Sequence, residues 1–354
     1  MVAPQKKLNQ IIINIIKSMG VFIIAEIGCN HNGNPEIAHQ LVEKAKECGV
    51  DAVKFQTFKA SELISRYAPK ADYQKKTTGE DGNQLEMTRK LELPQEEFLK
   101  LRDYAESLGL ITFSTPFDMD SIAFLEAEGQ KIWKIPSGEI TNLPYLERIA
   151  KIKIDGKQII LSTGMSTMEE IKQAVSILLR YEQKENLVIL HCNTEYPTPD
   201  EDVNLSGIDS LHEAFPDIKI GFSDHSVGAV AAIGAVMKDI CLIEKHFTLD
   251  KNMPGPDHKA SATPEELAEL CRNVRRIEII KGGGGKIVTE SEKRNINIAR
   301  KSIVARHSIK KGEIFTEDNI TCKRPGNGIS PMKWYEVLGK TAVRDFLEDE
   351  LIEL

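Results

Sequence analysis

Two hydrophobic rhythms take turns along this chain. From residue 21, "VFIIAEIG" is a short, β-branched apolar run of strand type, and "PEIAHQLVEKAKECG" follows it with apolar residues at helical spacing and Gly49 as its stop. "DAVKFQTF" repeats the strand pattern. A polar stretch over 59–93 follows, and then the helix "PQEEFLKLRDYAESLG" leads to the strand "LITFST". The alternation continues through "SIAFLEAEG" and "KIWKIPSG", "NLPYLERIAKI" and "QIILSTG", "TMEEIKQAVSILLRY" and "LVILHCNTEYP", "GIDSLHEAFP" and "IKIGFSDH", "GAVAAIGAVMKDI" and "CLIEKHFT". The helix "TPEELAELCRNVRRIEIIKG" closes the series.

Eight strand-then-helix units in about 260 residues predict a (β/α)8 TIM barrel. An open doubly wound sheet usually has fewer units and a glycine-rich first turn, whereas the first turn here reads "EIGCNHNG". The barrel is therefore expected over residues 21–281. "GGGG" at 282–285 opens a linker expected over 282–295. Residues 296–354 have short strand patterns, Gly and Pro turns and no long helical period, which predicts a small β-rich domain with a core of marginal size. Residues 1–20 read as an N-terminal extension: the apolar run in "LNQIIINIIKSMG" is interrupted by Asn14 and is far short of a membrane span. With a second methionine at position 19, residues 1–18 are expected to be either a dispensable extension or the product of an upstream start.

Composition narrows the class. A net charge of −7 argues against a nucleic acid or an anionic membrane as partner, so positive charge for an anionic substrate must be gathered locally. Six scattered cysteines without a C-x-x-C pair point to reduced thiols and a cytoplasmic protein, not to a disulfide framework or a zinc ribbon. The "GKT" at 339–341 lacks the upstream glycine of a phosphate loop, and the H-E-x-x-H zinc pattern is absent.

Active sites of such barrels lie at the C-terminal ends of the strands. Those ends carry, in order, Glu26; Lys54 and Gln56; Ser114 and Thr115; Lys134, Ser137 and Glu139; Ser162 and Thr163; His191 to Tyr196; Asp224 and His225; Glu244 and His246. A polar residue is ordinary where a strand meets solvent, so none of these carries weight alone. All eight ends together do. Strand alternation puts Lys54 and Gln56 on one face, and Glu244 with His246 on one face opposite to Lys245. A lysine beside an apolar barrel core is costly unless paired or facing an anion, so Lys54 and Lys134 predict a phosphate or carboxylate ligand. Hydroxyls at Thr115, Ser137, Ser162 and Thr163 suit its remaining oxygens. His225 and His246, at the tips of neighbouring strands, can reach one metal ion; with only these two protein ligands, and Glu26 expected nearby, positions stay open for water and substrate.

The motifs "AEIGCNHNG", "KFQT", "STPFD", "KIPSGE", "LSTGM", "EYPTP", "GFSDHS", "EKHFT" and "PGPDH" closely resemble those of the bacterial sialic acid synthase family, the nonulosonate synthases. "KKGEIFTEDNITCKRPGNGISP" resembles that family's antifreeze-like SAF domain, so the likeness runs from about residue 20 to the end. The resemblance implies an enzyme, a transferase that condenses phosphoenolpyruvate with an open-chain, N-acetylated mannose-type sugar. Carbon–oxygen cleavage and phosphate release then give a nine-carbon nonulosonic acid. It implies a divalent metal on His225 and His246, manganese in the first place with magnesium or cobalt as alternatives. Lys54, Thr115, Lys134, Ser137 and Ser162 would hold phosphoenolpyruvate, with one of Asn193 and Thr194. The family's sialate members often carry Thr-Asn where this chain has Asn193-Thr194, which leaves open which of the two makes that contact. Gln56, Glu139, Tyr196 and Asp257 would contact the sugar, and Glu26 or Glu139 would transfer protons. Arg324 would reach the barrel of a second subunit in a domain-swapped homodimer and bond an N-acetyl group.

Within the family, the 59–93 stretch and "IPSGEITNLPYL" resemble the legionaminic acid branch. Ile140, Thr141 and Leu143 there offer an apolar lining, suited to a 6-deoxy sugar such as 2,4-diacetamido-2,4,6-trideoxymannose, with N-acetylmannosamine as the alternative substrate. Two other classes compete. A Schiff-base aldolase using Lys54 or Lys134 leaves the histidine pair unexplained. A non-catalytic carbohydrate-binding protein needs neither the lysines nor the histidines.

Overall fold

The computed structural model describes residues 20–79 and 82–354. The expected N-terminal extension, Gly20 apart, lies outside the described residues. The chain divides into two compact units, one reaching to Gly282 and one running from Gly283 to Leu354.

The first unit is a ring of eight parallel strands with helices outside. Its elements are β1 Phe22–Gly28, α1 Pro35–Cys48, β2 Ala52–Thr57, α2 Ala60–Leu63, α3 Asp72–Thr78, α4 Gln84–Arg89, α5 Gln95–Ser107, β3 Ile111–Pro116, α6 Met119–Ala127 and β4 Ile132–Ile135. They continue with α7 Leu143–Ala150, β5 Gln158–Ser162, α8 Met168–Leu178, β6 Leu187–Cys192, α9 Asp200–Val203, α10 Ser206–Ala214, β7 Lys219–Asp224, α11 Val230–Val236, β8 Leu242–His246 and α12 Pro264–Lys281. The TIM barrel expected from the alternation is what the chain forms. Three short helices, α2 to α4, occupy the polar stretch 59–93, where four to seven residues give too few turns for a readable period.

Helix starts are written locally. Asn34 caps α1 by accepting from the N–H groups of Glu36 and Ile37, with Pro35 at the first helical position. Gly49, at φ 86°, ends that helix in a left-handed turn that a side chain would oppose. Thr167 with Glu170, and Thr263 with Glu266, form reciprocal capping boxes on α8 and α12.

Strand order around the sheet is β3-β2-β1-β8-β7-β6-β5-β4. The two ends of that order, β3 and β4, lie side by side. At this seam a side chain replaces the ladder: the Ser114 N–H donates to Gln130 Oε1 at 2.8 Å, and Gln130 Nε2 donates back to the Ser114 carbonyl at 2.8 Å. Buried backbone groups must find partners, and one amide supplies both.

Strand alternation sorts the apolar residues into two cores. Ile23, Ala25 and Ile27 of β1 face outward into the layer between strands and helices, with Val53, Phe55, Trp133, Ile159 and their neighbours. Phe22 and Ile24 of β1, Ala52, Phe113, Ile132, Ile160, Val188, Leu190 and Leu242 fill the barrel interior. Burying each Val, Leu, Ile or Phe among them contributes roughly 1.5–3 kcal/mol. Among the described residues, no helix is long and apolar enough to cross a membrane.

The second unit has its own core of Ile303, Ala305, Ile309, Phe315, Ile320, Val337, Ala342, Phe346 and Ile352. It contains α13 Glu290–Ala299, the antiparallel pair β9 Ser302–Ala305 and β10 Ile320–Lys323, and α14 Trp334–Val337. Part of the stretch read as a linker is therefore helix: Thr289 and Glu292 close a capping box at the start of α13. That helix buries no residue, so it offers no apolar stripe to recognise in sequence.

Candidate active site

The inward faces of the strands change character at one level. On β1, Phe22 and Ile24 give way to Glu26; on β2, Ala52 gives way to Lys54 and Gln56; on β8, Leu242 gives way to Glu244 and His246. Ile132 precedes Lys134, Ile160 precedes Ser162, and Phe113 precedes Thr115 in the same two-residue step. The ladder register then sets neighbours: Glu26 is paired with Lys54 on one side and with His246 on the other, Gln56 with Thr115, and Ser223 with Glu244. Above this level opens a cavity of about 620 Å³, lined among others by Glu26, Lys54, Lys134, Glu244, His225 and His246.

Four charges make its floor. Lys54 Nζ lies 2.5 Å from Glu26 Oε2, donates to Thr115 Oγ1 at 2.9 Å and stands 3.7 Å from Glu244 Oε2. Lys134 Nζ donates to Ser162 Oγ at 2.7 Å and lies 3.2 Å from Glu244 Oε1, which also accepts from Ser223 Oγ at 3.0 Å. The buried lysines were expected to call for an anionic ligand. Each has a carboxylate of this chain instead, so burial alone does not require one.

Their surroundings push the two carboxyls apart. Burial raises Glu26 to about 7, against the pull of Lys54 and with the help of Glu244. Burial would raise Glu244 too, but Lys134 and Lys54 outweigh it and hold that carboxyl down to about 2. Burial disfavours the Lys54 ammonium, yet Glu244 and Glu26 more than offset this and raise it, whereas for Lys134 burial wins and lowers it. Two carboxyls on neighbouring strands thus differ in role: Glu244 is a fixed anion, and Glu26 can take up or release a proton near neutrality.

The histidines stand beside this cluster, with ring centroids 5.2 Å apart. His225 Nδ1 donates to the Asn193 carbonyl at 2.5 Å, which leaves Nε2 with its lone pair. His246 Nδ1 is buried without a hydrogen-bond partner and lies 3.8 Å from Asp257 Oδ2. Burial lowers both, His225 to about 4 and His246 well below its ordinary value, so both are neutral imidazoles. The Tyr196 ring stacks on His225 at 4.2 Å and meets His246 edge-on at 5.5 Å.

Around them the expected residues divide. Ser137 Oγ accepts from the Gly164 N–H at 3.0 Å and sits 3.3 Å from Cys192 Sγ; Gln56 Nε2 donates to Glu26 Oε1 at 3.0 Å; both residues line the cavity. Of the two residues left open, Thr194 lines the cavity, while Asn193 turns its side-chain oxygen to the Glu195 N–H and its carbonyl to His225. Thr163 is used internally, donating to the Leu190 carbonyl at 2.8 Å.

Several expectations need correction. Glu139 does not join the others: β4 ends at Ile135, a tight turn over 137–139 carries Glu139 away, and its carboxylate faces a smaller cleft with Asp118 and Asn142. Asp257 sits behind His246, accepting from Cys29 Sγ at 3.4 Å, with burial raising it to about 6. Ile140 is packed in the core and Leu143 is 48% exposed, and neither they nor Thr141 line the cavity. Its apolar lining comes from Phe117, Pro136 and Met165 instead. The expectation for Arg324 is not among these corrections: it is exposed one residue beyond β10 in the second unit, as a residue that reaches another subunit would be. Sequence reasoning missed Ser223 as a site residue and left Glu244 without a role. The signal was present, since each stands two residues before a histidine on the same strand face.

The NeuB family model matches residues 41–286, and the SAF domain model matches residues 300–353. The chain is 52% identical to the N,N'-diacetyllegionaminic acid synthase of Campylobacter jejuni over 93% of its own length and 98% of that protein. It is 43% identical to the N,N'-diacetyllegionaminic acid synthase of Legionella pneumophila, over 91% of this chain and 90% of that one. Among solved structures, the N-acetylneuraminic acid synthetase of Leptospira borgpetersenii in complex with citrate superposes with a TM-score of 0.68 at 34% identity, covering 78% of this chain and 90% of that chain.

Proposed function

The chain belongs to the NeuB family, and we propose that it is a transferase that condenses phosphoenolpyruvate with open-chain 2,4-diacetamido-2,4,6-trideoxymannose to give N,N'-diacetyllegionaminate and phosphate. The observation that carries this reading is the meeting of Lys54 and Lys134 with His225 and His246 in one cavity of a chain so similar to the Campylobacter jejuni enzyme.

The donor set fits a divalent metal, for which we propose manganese. His246 Nδ1 is a buried nitrogen without a partner, and His225, whose Nδ1 donates to Asn193, has a lone pair on Nε2, which lies 3.4 Å from Ser223 Oγ. Among the described residues, no group of three or more His, Cys, Asp or Glu converges for a metal, so the two imidazoles would hold it and leave positions open to small molecules. Bound there, such a metal supplies Lewis acidity toward the aldehyde oxygen of the sugar.

The chain's own residues do the rest. Lys54 and Lys134 face the phosphate and carboxylate of phosphoenolpyruvate, and Thr115, Ser137 and Ser162 offer hydroxyls to its oxygens. Carbon 3 of the enol attacks the aldehyde carbon, and the alkoxide that develops takes a proton. Water adds at carbon 2, losing a proton, and the tetrahedral hemiketal phosphate expels inorganic phosphate by carbon–oxygen cleavage. Glu26, poised near neutrality, can give the first proton and, as the carboxylate, accept the second. The ammonium groups compensate the phosphate charge throughout. No lysine needs to act as a nucleophile. We propose that the enzyme works in the cytoplasm as a swapped homodimer in which the exposed Arg324 bonds an acetamido group of the sugar.

Phosphate release from phosphoenolpyruvate, measured with 2,4-diacetamido-2,4,6-trideoxymannose and N-acetylmannosamine side by side, tests the reading. A preference of about tenfold or more in kcat/KM for the diacetamido sugar is expected. Equal or better use of N-acetylmannosamine would make the enzyme an N-acetylneuraminate synthase.

A further inference from the structure

We infer that Glu244 is a positioning residue: it holds Lys54 and Lys134 in place as a stand-in anion and gives up their charge when an anionic substrate arrives. This rests on the proposed use of phosphoenolpyruvate and goes beyond it.

The geometry is specific. Glu244 is 3% exposed and its two oxygens face different lysines, Oε1 at 3.2 Å from Lys134 Nζ and Oε2 at 3.7 Å from Lys54 Nζ. Lys54 has a second carboxylate in Glu26 at 2.5 Å, so it stays paired if Glu244 is lost. Lys134 does not. Its other polar partner among the described contacts is the Ser162 hydroxyl, which leaves Glu244 as its sole anion. The hold is asymmetric on the carboxylate as well. Oε1 is fixed by the Ser223 hydroxyl at 3.0 Å, while Oε2 is buried with no hydrogen bond.

An oxygen attracted to an ammonium by charge alone, beyond bonding distance, is easily displaced by one that can bond it. Before substrate arrives, the two ammonium groups face the carboxylate of Glu244 and the carboxyl of Glu26. Phosphate and carboxylate oxygens that fill the cavity above compete with Glu244 for the same two lysines. Glu244 therefore weakens anion binding while it keeps both ammonium groups aimed at the cavity. That trade, affinity against alignment, is what separates a positioning role from a merely structural one.

Two variants test it in the full-length, manganese-loaded protein. Glu244→Gln keeps the volume and the bond from Ser223 but removes the charge. Titration calorimetry with phosphoenolpyruvate in the absence of sugar should show about threefold or greater tightening, while kcat falls about tenfold or more and the sugar KM stays within about twofold. Glu244→Asp keeps the charge, but one methylene less cannot span both lysines. Its phosphoenolpyruvate affinity should match the wild type within about threefold while kcat again falls about tenfold. Weaker or unchanged phosphoenolpyruvate binding in Glu244→Gln overturns the inference, as does an unchanged kcat in either variant. Should Glu244→Gln not fold, Glu244→Asp decides alone. A wild-type protein that fails to bind phosphoenolpyruvate would instead sink the functional reading on which this rests.

Discussion

Replacing Glu26 by Gln should alter stability in a way that depends on pH, and the size of the effect follows from the site. Glu26 is 1% exposed, and burial raises its carboxyl from 4.5 to about 7. A displacement of that size corresponds to ~3 kcal/mol between the two protonation states. Between these values the folded chain binds a proton at Glu26 that the unfolded chain has released. Stability from this group is therefore fully present at low pH and is lost as pH rises through about 7. Going from pH 8 to pH 5.5, the wild type should gain ~2 kcal/mol relative to Glu26→Gln, which has no proton to take up there. Glu244, held down to about 2, is ionised throughout this window and adds no slope. His225 and His246 titrate differently in the folded and unfolded chain, but they do so in both proteins and cancel in the difference. Urea unfolding of both proteins at the two pH values, freed of metal with a chelator, measures this difference. An unchanged difference, or one of opposite sign, would refute the view that burial outweighs Lys54 at Glu26.

Other expectations are more direct. His225→Ala and His246→Ala should each abolish condensation and lower manganese affinity by about tenfold or more, read by electron paramagnetic resonance of free manganese, while the circular dichroism spectrum is kept. A chelator should reproduce the loss and manganese reverse it. In Gly164→Ala the new methyl would lie 2.6 Å from Thr194 Cγ2 and 2.9 Å from Ser137 Oγ, so the phosphoenolpyruvate KM should rise about tenfold while the fold survives. Arg324→Ala should raise the sugar KM by roughly one to two orders of magnitude, the loss of a charge-assisted bond, with little change in the phosphoenolpyruvate KM. Deleting residues 283–354 should leave the barrel folded, by circular dichroism, but inactive; a normally active truncated monomer would rule out the swapped dimer.

The barrel was legible because each strand and its following helix repeat a contrast of periods that a single sequence displays. The rim was legible for a related reason. Where a strand is buried on both faces, a charge such as Lys54 or Lys134 stands out against its neighbours. What lay beyond reach was pairing across strands. No pattern local to "EKHFT" says that Glu244 answers two lysines more than a hundred residues upstream; ladder register and ring closure settle that. Glu139 misled for the opposite reason. It follows Lys134 closely in sequence, yet a three-residue turn is enough to send it into another cleft. Ile140 was an apolar residue close to the site in sequence and in the core in space. Helix α13 escaped notice because an exposed helix has no buried stripe to betray it.

Gln130 has an implication for how such a ring could be taken apart. Seven ladders tie the eight strands in unbroken order from β3 round to β4, and one side-chain amide fastens the ends. In carpentry terms the wall is a rolled mat with a clasp. A chain cut between Gly129 and Gln130 would keep every ladder and the clasp, with only that one peptide link given up. The same site would suit reassembly from two separately made pieces, β1 to β3 in one and β4 to β8 in the other. They would meet along the β1–β8 ladder, which brings Glu26 against His246. Recovery of phosphoenolpyruvate binding on mixing would then report that the two halves had found their register, because Lys54 belongs to one piece and Lys134 to the other.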